Sequence, residues 1–369
     1  VLRARLEDAL FFWNEDTRHP IEELTRNLKE VLFQERLGNL QEKVERLTLI
    51  ARYIGQQLSL SNPDLINRSA TLCKADLLSN MVYEFPELQG IMGRYYAQYS
   101  SEDAQVCEAI FEHYLPRFSG DNLPETATGT VLSLAEKVHN LTGCFAIGFK
   151  PSGSQDPYAL RRQALGMVNI ILAQQLELDL KDLFAAAYDC FETIKPDIDK
   201  TTAVNELNDF ILQRLRGMLM ENYSYDIVDA VLACPSGNLT DLQRRVKAVN
   251  NLKQSSYYED FMVVYNRANN LSKKWEVDSF SAEVLVDESE KYLYQQIIAA
   301  GPRIEQAVEQ HDYTLAIQHL AELRPALDAF FEAVMVMVED EALKAARLGM
   351  LKQIAACCHL IAQFNKLVL

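Results

Sequence analysis

Apolar side chains recur every three to four residues along most of this chain, and that period limits what it can fold into. Leu24, Leu28, Val31 and Leu32 are followed by Leu37, Leu40, Val44, Leu47, Ile50, Ala51 and Ile54. This spacing predicts amphipathic helices through residues 1–60, punctuated at Gly38 and Gly55. Continuous β alternation with turn pairs is absent, which argues against a parallel sheet or a sandwich. No run approaches the roughly 20 apolar residues needed to span a bilayer. The expected class is all-α, and 369 residues are enough for two or three domains.

The stretch Arg68–Tyr96 shows how such a chain is broken into short helices. Its first helix should end before Pro86, because the residue preceding a proline is pushed out of the α region. The helical pattern resumes through ELQGIMG, where Gly90 and Gly93 lie on nearly one face and would admit a close backbone. The same stretch holds Asp76, a lone acid among apolar neighbours. A metal-dependent phosphohydrolase of helical type needs several His and Asp ligands to hold two hard cations. Here Ala75 precedes Asp76, His19 is the only earlier histidine, and Glu136 is the plausible distant acid. Two carboxylates without imidazoles are too few, so Asp76 reads as a polar residue between helices. The one literal His-Asp pair, His311-Asp312, sits in a polar turn and reads as chance adjacency.

Residues 61–215 alternate helices with loops. In GFKPSGSQDP (148–157), Asp156-Pro157 predicts an N-cap followed by proline at the first helical position. Two readings of this loop stay open: a well-capped connection, or an anion cradle using Lys150 and Arg161. It lacks the ending of a P-loop. Further helices are expected around Leu176–Thr193 and Ala203–Asn222. Residues 280–369 read as a bundle of four or five helices, with Pro302 and Pro325 marking turns or kinks. FFEAVMVMVEDE reads as a core helix followed by a turn.

A formal charge of -16 argues against indiscriminate nucleic-acid binding, so any RNA contact needs a local basic patch. Between Asp241 and Trp275 seven basic residues face three acids, interleaved with Tyr257, Tyr258, Phe261, Tyr265 and Trp275. Lys and Arg can neutralise phosphates while aromatics stack on splayed bases; the alternative is a solvated basic face whose tyrosines are core. Seven scattered cysteines without a CxxC suggest reduced, mostly buried thiols in a cytoplasmic setting. The start VLRARLEDA carries neither an initiator Met nor a signal-peptide pattern, and the chain reads as a piece of something longer.

Several long strings carry a resemblance. KADLLSNMVYEFPELQGIMGRYYA (74–97), HYLPRFSGDNLPET (113–126), GSQDPYALRRQALG (153–166), YDIVDAVLA (225–233) and FFEAVMVMVEDEALKAARLGML (330–351) resemble the β subunit of bacterial glycyl-tRNA synthetases of the α2β2 type. VLRARLEDALFFW and FQERLGNLQEKVERL are similar to the same family, so the likeness runs the length of the chain. It implies a C-terminal fragment with a helical lead-in (1–60) and an HD-like domain (61–215) that is catalytically silent, with Asp76 and Glu136 as degenerate positions. It further implies a basic segment (216–279) and an anticodon-binding helical bundle (280–369).

The partners implied are tRNA(Gly) and the α subunit, with neither DNA nor membrane. ATP and magnesium would belong to the α subunit, leaving no catalytic residue, metal or cofactor here. Phe330, Phe331, Val334, Met337, Glu339, Asp340, Arg347 and Leu348 match the family string, while Ala346 stands where the family usually has Asn. Candidate tRNA contacts are Arg244, Arg245, Lys247, Lys253, Arg267, Lys273, Lys274, Arg303, Arg324, Lys344, Arg347 and Lys352. Against them stand seven basic residues and thirteen acids in 280–369. The rival readings are an HD-type nucleotide phosphohydrolase, disfavoured by its missing ligands, and a purely helical scaffold.

Overall fold

The computed structural model describes residues 2–59, 62–275 and 280–368. The chain divides into two compact units, Val1–Leu215 with Gly237–Leu239, and Arg216–Ser236 with Thr240–Leu369. Its helices are α1 (Leu2–Asp16), α2 (Ile21–Thr25), α3 (Leu40–Leu58), α4 (Pro63–Leu72), α5 (Asn80–Glu84), α6 (Ile91–Tyr99), α7 (Ala104–Glu112), α8 (Ala127–Ala146) and α9 (Leu160–Ala173). They continue as α10 (Leu180–Asp189), α11 (Lys200–Leu219), α12 (Tyr225–Leu232), α13 (Leu239–Leu252), α14 (Tyr258–Ser272), α15 (Glu288–Glu309), α16 (Tyr313–Ala321), α17 (Arg324–Ala333) and α18 (Glu341–His359). The protein is all-α in class. Among the described residues, no helix is long and apolar enough to cross a membrane.

In the first unit α8 is the axis. Its sequence, ATGTVLSLAEKVHNLTGCFA, is apolar or small apart from Glu136, Lys137, His139 and Asn140, and such a helix is stable only when surrounded. Helices α3, α4, α7, α9 and α10 pack around it. Thr126 caps it, its hydroxyl accepting from the Gly129 N–H at 3.0 Å. In the second unit α14 packs on α16, α17 and α18, and α15 on the same three. Phe261, Tyr265, Phe330 and Phe364 are buried there, whereas Tyr257, Tyr258 and Trp275 are half-buried.

Several local expectations are corrected. The helical pattern across Val31–Leu40 is interrupted by a short antiparallel hairpin, Leu32–Gln34 with Gly38–Asn39. Gly38 takes φ +90, and Asn39 then forms a capping box with Glu42 that starts α3. The helix expected from Pro157 begins instead at Leu160: Asp156 accepts from the N–H groups of Leu160 and Arg161, four and five residues on. Pro302 lies inside α15 rather than at a turn, and Pro325 opens α17. The helices expected at Leu176–Thr193 and Ala203–Asn222 run over Leu180–Asp189 and Lys200–Leu219.

Asp76 has a structural task. Its Oδ2 accepts from the N–H of Gly90 at 2.6 Å and of Gly93 at 3.0 Å, satisfying donors at the start of α6. A Cβ on Gly93 would lie 2.7 Å from the Ile110 side chain and 3.0 Å from that oxygen. Gly93→Ala should therefore destabilise the protein by about 1–3 kcal/mol through overpacking; an unchanged urea midpoint would refute this close approach.

Burial lifts the Asp76 carboxyl to about 6, against the pull of the Gly90 and Gly93 amides. The native state thus keeps a proton between pH 4 and 6 that the unfolded chain has released, and stability falls as pH rises through that window. At full ionisation the loss is about 3 kcal/mol. Asp76→Asn keeps an acceptor for both amides and removes the titration. Its stability relative to wild type should rise from pH 4 to 6 and level off above 7. A difference flat across urea titrations at those pH values would disprove the shift.

Candidate nucleic-acid interface and a lysine-filled acidic centre

Glu136, on α8, is only 8 % exposed, and such a carboxylate must find cations or be protonated. Lys43 of α3 reaches its Oε1 at 2.8 Å, and Lys74, following α4, reaches the same oxygen at 3.3 Å. Both ammonium groups are fully engaged. Lys43 also donates to Asn140 Oδ1 at 2.7 Å and lies 4.0 Å from the Phe33 ring centroid. Lys74 donates to His113 Nε2 at 2.8 Å and lies 4.1 Å from the Tyr114 ring centroid. His113 Nδ1 in turn donates to the Ile110 carbonyl, which fixes the tautomer.

The charges follow from this geometry. Burial alone would raise the Glu136 pKa, but Lys43 and Lys74 hold it well below the usual carboxylate range. Burial lowers Lys43 to about 8, whereas at Lys74 burial, the largest single effect, is outweighed by Glu136, Tyr114 and Cys73 acting together, and the pKa is raised. Burial, then Lys74, keeps His113 neutral, and His139 falls to about 3 for the same leading reason. An imidazole whose Nε2 accepts from an ammonium is occupied as a ligand. Among the described residues, no three His, Cys, Asp or Glu side chains are grouped to hold a metal ion.

Lys43 and Lys74 were invisible as partners of Glu136 in the sequence, where Lys43 lies 93 residues away. The anion-cradle reading of the 148–157 loop finds no support in its side chains. Lys150 pairs with Glu206, Arg161 donates to the Gly153 carbonyl at 2.8 Å, and Asp156 caps the helix. The His311-Asp312 pair is divided between two tasks. Asp312 caps α16 through the Leu315 N–H, while His311 Nδ1 lies 3.1 Å from Asp241.

The second unit holds all twelve candidate cations, and most already have an acid. Arg245 pairs with Asp241 at 2.6 Å, Lys253 with Asp226 at 2.9 Å, Arg303 with Glu322 at 3.1 Å and Lys344 with Glu341 at 3.0 Å. Arg267 pairs with Asp328, and Arg324 with Asp260 and Asp328. Arg244 and Lys352 are also engaged. Lys247, Lys273 and Lys274 are exposed and form no ion pair among the described residues.

Arg347, on α18, is buried. Its Nε donates to Glu290, which is wholly buried at the start of α15, and its Nη1 donates to the Met335 carbonyl at 2.5 Å. Through that fork it fixes the segment 334–340 between α17 and α18. FFEAVMVMVEDE is thus not one core helix and a turn: α17 ends at Ala333 and Val334 is extended. Val336 is 6 % exposed, while Met335 and Met337 are 77 % and 59 % exposed. The continuous apolar run Val-Met-Val-Met-Val does not by itself distinguish a helix from an extended segment. Ala346 is fully buried, so that position offers nothing to a ligand.

Comparison with known proteins agrees along the chain. The family model for the glycyl-tRNA synthetase beta subunit matches residues 1–233, and that for the DALR anticodon binding domain matches residues 261–361. The chain is similar to the glycine–tRNA ligase beta subunit of Syntrophomonas wolfei, at 58 % identity over all of this chain and 54 % of that protein. It is likewise similar to those of Desulforamulus reducens, at 43 %, and Clostridioides difficile, at 40 %, each over all of this chain and 54 % of the relative. The chain therefore spans about half the length of the curated relatives it matches. On this evidence it belongs to the glycyl-tRNA synthetase beta-subunit family.

Proposed function

We propose that this chain is the tRNA-recognising portion of a glycine–tRNA ligase. The second unit holds the anticodon arm of tRNA(Gly), and the acceptor end is delivered to the active site of a partner α subunit in an α2β2 assembly. In this reading ATP and magnesium act in the α subunit, and this chain contributes positioning. One observation carries it: the segment matched to an anticodon-binding domain presents two exposed methionines on a backbone clamped by Arg347. Splayed bases are held by flat or polarizable side chains more than by charge, which suits a surface rich in acids.

The cation pattern divides the labour. Lys247, Lys273 and Lys274 can meet phosphates without first leaving an acid. Arg267 and Arg324 would have to exchange Asp328 and Asp260 for phosphate. Arg347 acts as a positioning residue rather than as a phosphate contact. The phosphohydrolase alternative gains nothing, because Glu136 is already neutralised by two lysines.

Two measurements test this. Replacing Met335 and Met337 together by Ala should weaken tRNA(Gly) binding about tenfold, a loss of about 1.4 kcal/mol. It should also reduce the preference over an anticodon-altered tRNA. Equal binding of the two tRNAs by the unaltered protein would remove the anticodon role. Replacing Lys247, Lys273 and Lys274 by Gln should weaken both tRNAs alike and lower the salt slope by about one per lost phosphate contact. An unchanged slope would exclude these lysines from the backbone contacts.

A further inference from the structure

The acidic centre opens on two concavities in the first unit. One, of about 260 Å³, is lined by Lys43, Lys74 and the Phe33 ring; the other, of about 230 Å³, by Arg117, Lys137 and Arg162. Both are also lined by Tyr114, Glu136, Asn140, Tyr158 and Gln163, which makes them two lobes of one depression. Five cations and one acid therefore line it, in a chain whose formal charge is -16.

The fold consumes most of that positive charge: Lys43 and Lys74 pair with Glu136, Arg117 pairs with Asp121, and burial lowers Lys137 to about 7. Glu136 uses Oε1 for both lysines, and its Oε2 is buried without a hydrogen-bond partner. Arg162, exposed at the rim, makes no ion pair among the described residues. Tyr158 offers a partly exposed ring. A buried acceptor without a donor and an exposed cation without an acid, lining one depression, suit a ligand with both an anion and hydroxyl or amino donors.

We propose that this depression is a non-catalytic binding site for a nucleoside 5′-monophosphate. The phosphate meets Arg162 at the rim. A sugar hydroxyl or a base amino group donates to Glu136 Oε2, and the base lies against Tyr158. The two lobes together fall near the lower end of the roughly 300–1,000 Å³ range of small-molecule sites, which fits a one-ring base. Two ammonium groups already on Glu136 repel a divalent cation, so the site retains a nucleotide without hydrolysing it.

The test is calorimetric titration of the purified protein with uridine 5′-monophosphate, chosen because the ligase reaction proposed above uses an adenine nucleotide. Saturable binding with Kd below about 1 mM is expected. At least a tenfold loss is expected for Arg162→Glu, for Tyr158→Ala, and for uridine lacking the phosphate. Both substitutions lie at the exposed rim and should leave the thermal midpoint unchanged, which separates lost binding from lost folding. Absence of saturable binding, or binding undiminished in both variants, would overturn the site while leaving the tRNA reading untouched.

Discussion

The first unit depends on one buried ion triad. Glu136, Lys43 and Lys74 come from α8, α3 and the segment after α4, and each is nearly inaccessible to water. A buried pair adds little net stability over apolar packing, but removing one member leaves a desolvated charge and costs about 3–5 kcal/mol. The triad therefore acts as a registration device. α3 and α4 must seat against α8 with both ammonium groups in place, or a charge is stranded. The surrounding groups obey the same constraint, since His113 and His139 stay neutral beside two fixed positive charges.

The second unit treats charge in the opposite way. Its arginines are laced to acids at the surface, where exposed pairs are worth little and screened by salt. What holds its contact segment is again a buried pair, Arg347 with Glu290. The same chemistry thus serves two ends. In one unit a buried acid gathers helices, and in the other a buried arginine fixes a loop whose neighbouring side chains remain outside.

The class of the fold was legible because period is a local property. Asn39, Thr126 and Asp340 cap α3, α8 and α18 with residue types suited to that position. Interruptions were harder. The hairpin at 32–39 lies within an apolar spacing that also suits a helix, and only the left-handed Gly38 distinguishes the two. The acidic centre was legible only in part. Asp76 and Glu136 could be recognised as acids short of ligands, but Lys43 and Lys74 look like ordinary surface lysines until α3 and α4 are packed on α8. Partners separated by dozens of residues leave no trace in a window of ten.

In the tRNA reading proposed above, Arg347 would matter to RNA without touching it. Its planar fork serves the Glu290 carboxylate and the Met335 carbonyl at once, a geometry that a single ammonium group cannot reproduce. Fixing that carbonyl sets the direction of residues 334–340. Val336 packs inward there, and Met335 and Met337 on either side of it face outward. Ordering two long side chains and their backbone before a ligand arrives lowers the entropy lost on binding. A surface carrying more acids than bases gains little from long-range attraction, so in that reading pre-organisation of segment 334–340 is the contribution left to it.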